Sequence, residues 1–186
     1  MKILVPADNY PENYWIKYDH ETNMDHMEFS IGKEIHGNGA PVLFTAKGKV
    51  SIASIKSYDY LFSDGPDVVS AHLAKLLRDK CPKDIQLLPA EIKINNQVVG
   101  EYFVLNILNA DLAFDMDNCT YVPLIKSMPN GPKKFKKISL LNKLPTFDIF
   151  RASESRFNVV LSDRLAQDLE AESVKGVRFV SNLDGL

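Results

Sequence analysis

Two stretches of this chain repeat one plan, and that repetition restricts the fold more than any other feature of the sequence. Val68-Val69-Ser70 runs into a segment carrying Leu73, Ala74 and Leu77, and then into Ile85-Gln86-Leu87. Val160-Leu161-Ser162 runs into Leu165, Ala166 and Leu169, and then into Val177-Arg178-Phe179. Lys83 and Lys175 occupy matching places in the two stretches. Each reads as an extended piece, a capped helix and a strand, with leucines four residues apart on one helical face. A serine just before a helix accepts a hydrogen bond from a first-turn amide that has no partner within the helix. Ser70 and Ser162 are therefore expected as caps and not as nucleophiles. Internal duplication and convergence both account for the likeness, and both make these residues architectural.

The segments around this pair suggest sheets. Ile85–Ile94 and Val98–Leu108 read as strands joined at Asn95-Asn96, a pair suited to a tight hairpin turn. The run Glu101–Leu108 is apolar on both faces in its middle, which suits a central strand. Val42-Leu43-Phe44 and Val50–Ile55, separated by Lys47-Gly48-Lys49, are expected to form a hairpin, and Phe135–Leu141 another strand. Residues 1–40 read as irregular, with turns at Tyr10-Pro11-Glu12-Asn13 and His36-Gly37-Asn38-Gly39, and 109–135 as a long loop with short extended pieces, punctuated by Pro123, Pro129, Gly131 and Pro132. The expectation is an α+β fold, with a mixed or antiparallel sheet and two or more short helices. It forms a single domain over 1–186, with an irregular N-terminal part at 1–60 and a core at 61–186.

Chemistry is harder to find. There is no G-x-S-x-G, no phosphate-binding glycine loop and no H-E-x-x-H. His20 and His26 lie among Asp19, Glu21, Asp25 and Glu28, residue types that bind divalent metals, but the spacing is irregular and the setting is loop-like. Asp111, Asp115 and Asp117 lack the glycine and closing glutamate of a calcium loop. Lys133, Lys134, Lys136 and Lys137 surround Phe135 as the one basic cluster, and read as lysines guarding a strand edge. The net charge of −2 gives no overall electrostatic case for nucleic acid. Cys81 and Cys119 have no CxxC spacing and are expected as reduced thiols. Met1–Asp8 holds only a short apolar run, and nothing in the chain approaches a membrane span, so a cytoplasmic protein is expected.

One order of motifs stands out in the later part of the chain. Pro66-Asp67-Val68-Val69-Ser70 precedes a leucine-rich helix, and Tyr102-Phe103-Val104-Leu105-Asn106 follows. Ile149-Phe150-Arg151 then leads to Val160-Leu161-Ser162-Asp163-Arg164-Leu165 and Lys175-Gly176-Val177-Arg178-Phe179. Over roughly residues 60–181 this order resembles the family-eleven immunity proteins of bacterial polymorphic toxin systems. The resemblance implies a small cytoplasmic bacterial protein that binds a cognate toxin and neutralises it, without catalysis or cofactor. Neither a membrane nor nucleic acid is its expected partner. Ser70, Phe150, Arg151, Ser162, Gly176 and Phe179 then read as architecture, with Arg151 expected to pair with a carboxylate. Specificity belongs on adjustable loops. The expected contact residues are Asp19, Glu21, Asp25 and Glu28, facing a basic toxin, and second Lys133, Lys134, Lys136 and Lys137. The alternatives are a small metal-dependent enzyme using His20 and His26 with nearby carboxylates, or a small-ligand or RNA-binding module at the lysines.

Overall fold

The computed structural model describes residues 1–37, 39–46, 50–128 and 131–184. Strand β1 (Lys2–Pro6) buries Ile3, Leu4 and Val5 and stops at Pro6, which has no amide to offer a ladder. Strands β2 (Ile16–Tyr18) and β3 (Val42–Ala46) flank a 3-10 turn at His26–Ser30. Helix α1 (Ile52–Lys56) is capped by Ser51, whose hydroxyl accepts from the Ser54 amide at 3.0 Å. Strands β4 (Tyr60–Leu61) and β5 (Val68–Ser70) precede α2 (Ala71–Lys80), and α2 buries Leu73, Ala74 and Leu77. Strands β6 (Ile85–Ile94) and β7 (Gln97–Ile107) turn at Asn95 and Asn96, both left-handed with φ of 48° and 66°. Next come β8 (Ala110–Asp111), β9 (Thr120–Pro123), β10 (Lys133–Ser139), β11 (Ile149–Ala152) and β12 (Ser155–Leu161). Helix α3 (Asp163–Ala171) buries Leu165, Ala166 and Leu169, and β13 (Val177–Val180) and β14 (Asn182–Asp184) follow it.

The strands form a six-stranded sheet ordered β2-β3-β6-β7-β5-β4, a five-stranded sheet ordered β13-β1-β12-β11-β8 and a three-stranded sheet ordered β14-β10-β9. The repeated plan is visible in their registers. In the six-stranded sheet β5 and β6 lie antiparallel on either side of β7, so they are parallel to each other and α2 carries the crossover. In the five-stranded sheet β12 and β13 flank β1 in the same way, and α3 carries the crossover. Val68 opposes Val104 and Leu87 opposes Leu105; at the matching positions Val160 opposes Ile3 and Phe179 opposes Leu4. Strand β1 therefore stands where β7 stands, although one precedes its unit in the chain and the other follows it.

The likeness goes beyond a cap and an apolar stripe. Ser70 Oγ accepts from the Leu73 amide at 3.2 Å and donates to Asp59 Oδ1 at 2.7 Å. Ser162 Oγ accepts from the Leu165 amide at 3.1 Å and donates to Asp148 Oδ1 at 2.6 Å. The two units also clasp each other reciprocally. The amides of Asp59 and Tyr60 donate to the Lys175 carbonyl at 3.0 and 3.1 Å, and the amide of Asp148 donates to Asp84 Oδ2 at 2.8 Å.

Alternation along the strands sorts the apolar residues into layers. Val69, Leu105, Leu161 and Leu4 point into a central cluster that also holds the buried leucines of both helices. Val68, Val104, Tyr18 and Phe29 form a second cluster on the outer face of the six-stranded sheet. Ile3, Val160, Phe150 and Phe135 form a third, between the five-stranded and three-stranded sheets. Among the described residues no helix is long and apolar enough to cross a membrane.

An α+β fold is what the sequence suggested, and α2, the β6–β7 hairpin and α3 lie where expected. Two details differ. Val50–Ile55 is not a second hairpin strand: Ser51 caps a helix there, Ile55 turns inward, and β3 pairs with β2 and β6 instead. The turns proposed at Lys47-Gly48-Lys49 and at Asn38, and the break at Pro129, lie outside the described residues. Residues 1–60, expected to be irregular, contribute β1, β2, β3 and α1, and β1 sits inside the five-stranded sheet.

Candidate functional site

The outer face of the six-stranded sheet carries a cavity of about 560 Å³, lined chiefly by Met24, Phe29, Ile35, Val42, Leu43 and Leu88. One wall is the acidic loop, which folds through its own aspartates. Asp19 Oδ1 accepts from the amides of Glu21 and Thr22, both at 3.1 Å, and Asp25 Oδ1 accepts from the Met27 amide at 2.9 Å. These are local turns of the kind short carboxylates favour. Hydrogen bonding from the Thr22 side chain and amide holds the Asp19 carboxyl below its usual range. The loop is then fastened to the sheet: Asn23 Nδ2 donates to the Leu43 carbonyl at 2.8 Å, the Leu43 amide donates to Asn23 Oδ1 at 2.9 Å, and Tyr18 Oη donates to the Met24 carbonyl at 2.8 Å.

The opposite wall is held by side-chain amides of the central strands. The Ile35 amide donates to Gln86 Oε1 and Gln86 Nε2 donates to the Ile35 carbonyl, both at 2.9 Å. Asn106, fully buried, donates to the Lys33 carbonyl at 2.8 Å and to Gln86 Oε1 at 2.9 Å. The result is a preformed apolar hollow whose walls are tied by side-chain to backbone bonds. Residues 19–28 hold four carboxylates and no lysine or arginine, and Met24, Met27 and Ile31 are exposed nearby. Such a hollow suits an apolar side chain flanked by cations. Burying one aliphatic side chain there contributes roughly 1.5–3 kcal/mol, methionines adapt to its shape, and the exposed carboxylates add rate and selectivity.

The histidines do not assemble a metal site. The His20 and His26 rings meet edge to face with centroids 5.0 Å apart, and the His20 ring meets that of Tyr18 at 5.1 Å. Asp25, the carboxylate nearest His26 at 3.5 Å, is already committed to the Met27 amide. Among the described residues no three His, Cys, Asp or Glu side chains are arranged to hold a metal ion.

The lysine cluster sits elsewhere and differs from expectation. Strand β10 is the middle strand of its sheet, not an edge, because β9 and β14 pair with it on either side. Phe135 and Ile138 point into the third cluster, and a bulge between Phe135 and Lys137 leaves both Lys136 and Lys137 exposed. Lys133 Nζ lies 5.5 Å from the centre of the Tyr121 ring, which itself packs on Phe135. Beyond β9 the hairpin tip projects Leu124, Ile125 and Met128 into solvent. The short extended pieces expected within 109–135 are β8 and β9, and the run Tyr121-Val122-Pro123-Leu124-Ile125 leads from β9 into this tip. The acidic loop and the lysines are not brought together: they lie on the outer sides of different sheets, with the central cluster between them.

The motif residues are structural. Phe150 is fully buried, Phe179 packs against the central cluster, and Ser70 and Ser162 cap their helices. Arg151 is buried but forms no ion pair among the described residues. It donates to the Arg156 carbonyl at 2.9 Å, and its charge acts at longer range on Asp67. Burial lifts the Asp67 carboxyl to about 6, against the lowering effects of the hydrogen bond from Tyr60 Oη, at 2.8 Å, and of Arg151. Both cysteines are free, and burial pushes the Cys81 thiol up to about 12. No protein-family model and no curated protein matches this chain.

Proposed function

We propose that this chain is a non-catalytic cytoplasmic immunity protein that binds and neutralises a cognate bacterial toxin, taking a basic, apolar-anchored segment of it on the acid-flanked cavity. The observation that carries this reading is the hollow itself: apolar, tied open on both walls, with one wall formed by Thr22, Asn23 and Met24 of a loop that holds four carboxylates. The motif order of residues 60–181 supplies the class of partner. In this reading the partner is a protein, and neither nucleic acid nor a membrane is the target.

The test is capture of the product of the neighbouring gene by the tagged chain, followed by two variants. Asp19 and Asp25 hold the loop together, so charge is reversed at Glu21 and Glu28, which have no ion-pair partner among the described residues. Glu21→Lys with Glu28→Lys should weaken partner binding about tenfold or more, mainly through slower association that salt abolishes. Met24→Asp, at the cavity wall, should speed dissociation. An affinity unchanged by both variants would refute the proposed surface.

A further inference from the structure

The molecule carries a knob whose chemistry complements its own hollow. The knob is the tip of the β9–β10 hairpin, where Leu124, Ile125 and Met128 are 58%, 46% and 52% exposed. Around it, residues 120–141 contain Lys126, Lys133, Lys134, Lys136 and Lys137 and no acidic residue. The hollow is apolar, and residues 19–28 beside it contain four carboxylates and no lysine or arginine. An aliphatic tip set in lysines matches an apolar cavity walled by an acidic loop on both counts, apolar area and charge sign.

The two surfaces cannot meet within one molecule. The hairpin is seated through Phe135 and Ile138 on the outer cluster of the five-stranded sheet, whereas the cavity opens on the outer face of the six-stranded sheet. The central cluster and both helices lie between. We infer that the hairpin tip of one copy docks in the acid-flanked cavity of a second copy, giving a weak head-to-tail association of this chain. The contact is heterologous, so it leaves a free tip at one end and a free cavity at the other, and it extends. A hairpin tip is smaller than a standard interface, which makes the association transient and dependent on concentration. Where the cavity also serves the toxin, as proposed above, self-association covers the partner site until the partner displaces the tip. That consequence rests on the proposed function, and the association does not. The tip's exposed side chains are mainly aliphatic and its cations are all lysine. This favours an apolar, acidic hollow over nucleic acid, which rewards stacking aromatics and arginine.

Sedimentation equilibrium of the full chain tests this. The weight-average mass should rise above the 20.9 kDa monomer as concentration enters the millimolar range, and return to it in about 1 M salt, where screening reaches ~3 Å. Ile125→Asp on the tip and Met24→Asp on the cavity wall should each give a monomer, with circular dichroism spectra matching wild type. Mixed in equal amounts, the two variants should pair once and stop at a dimer, because each retains the surface the other has lost. A wild-type chain that stays monomeric throughout would overturn the inference, as would a mixture of variants that fails to pair. So would a tip variant that loses binding to a single-stranded oligonucleotide while the mass never exceeds one chain. Ile125→Asp should still capture the toxin, so loss of self-association with capture intact removes this inference alone.

Discussion

Replacing Gly176 by alanine tests the junction where the two repeated units clasp. Gly176 sits at φ of +106°, between the end of α3 and β13. Holding a residue with a side chain in so sparsely populated a conformation costs about 1–3 kcal/mol. Its Cβ would also stand 2.5 Å from the Tyr60 carbonyl oxygen and 3.2 Å from Tyr58 Cδ1. The first of these is backbone in a fully buried strand, so it cannot swing aside as a side chain would. Strand β4 must shift, and the shift strains the hydrogen bonds from the Asp59 and Tyr60 amides to the Lys175 carbonyl, each worth about 1 kcal/mol net. Together these terms give roughly 3–5 kcal/mol, a large part of the 5–15 kcal/mol that holds a typical domain folded. Two controls separate the causes. Gly39 has a φ of +78° with nothing within 4 Å of its Cβ position, so Gly39→Ala should cost only the conformational term, about 1–2 kcal/mol. Gly100 has open space and no positive φ, and Gly100→Ala should lose about 0.5 kcal/mol or less. Urea unfolding with a common m-value reads all three. If Gly176→Ala loses no more than Gly39→Ala, the close approach of the two units contributes nothing and the argument fails.

Two further outcomes follow from buried polar groups. Asp67 has a folded pKa of about 6 against a reference of 3.8, so the folded state binds its proton more tightly and the carboxyl contributes stability below about pH 4 that is lost as pH rises through 6. Asp67→Asn should remove that step, worth roughly 1–3 kcal/mol, and parallel stability-against-pH curves for wild type and variant would contradict it. Ser70→Ala and Ser162→Ala each lose a cap and a bond to Asp59 or Asp148, and should each lower stability by about 1–2 kcal/mol in urea. Markedly unequal losses would show that the two serines do not share one role.

What could be read from the sequence was what local chemistry decides. The two helices announce themselves by a serine followed by leucines at helical spacing, and the long hairpin by two adjacent asparagines that tolerate left-handed backbone. What escaped depended on distant partners. Ile3-Leu4-Val5 looks too short to mean much, yet β1 pairs with residues near 160 and near 179, at the far end of the chain. Val50–Ile55 has the composition of a strand, but the Ser51 hydroxyl caps a helical turn there and that turn buries Ile55. The lysines of β10 imitate an edge, but the pairing of Ile138 with Leu183 puts β14 on one side and β9 closes the other.

The candidate site was legible in charge and illegible in shape, and the difference has a physical cause. Four acids within ten residues can be counted, but counting assigns all four to the surface. Two of them, Asp19 and Asp25, spend their carboxylates on backbone amides of their own loop, which leaves Glu21 and Glu28 to meet a partner. The hollow beside them depends on Asn23, Gln86 and Asn106, ordinary-looking amides whose bonds to backbone hold two segments apart across the sheet. Asn106 was the available clue: a polar side chain in the apolar middle of a central strand must find partners or cost stability. Its partner is the segment at 33–35 that forms the far wall. Asn106→Leu should therefore release that wall, reducing partner capture while Glu21 and Glu28 remain in place. Capture at wild-type affinity by a folded Asn106→Leu chain would mean that charge alone recruits the partner and that the hollow has no part in it.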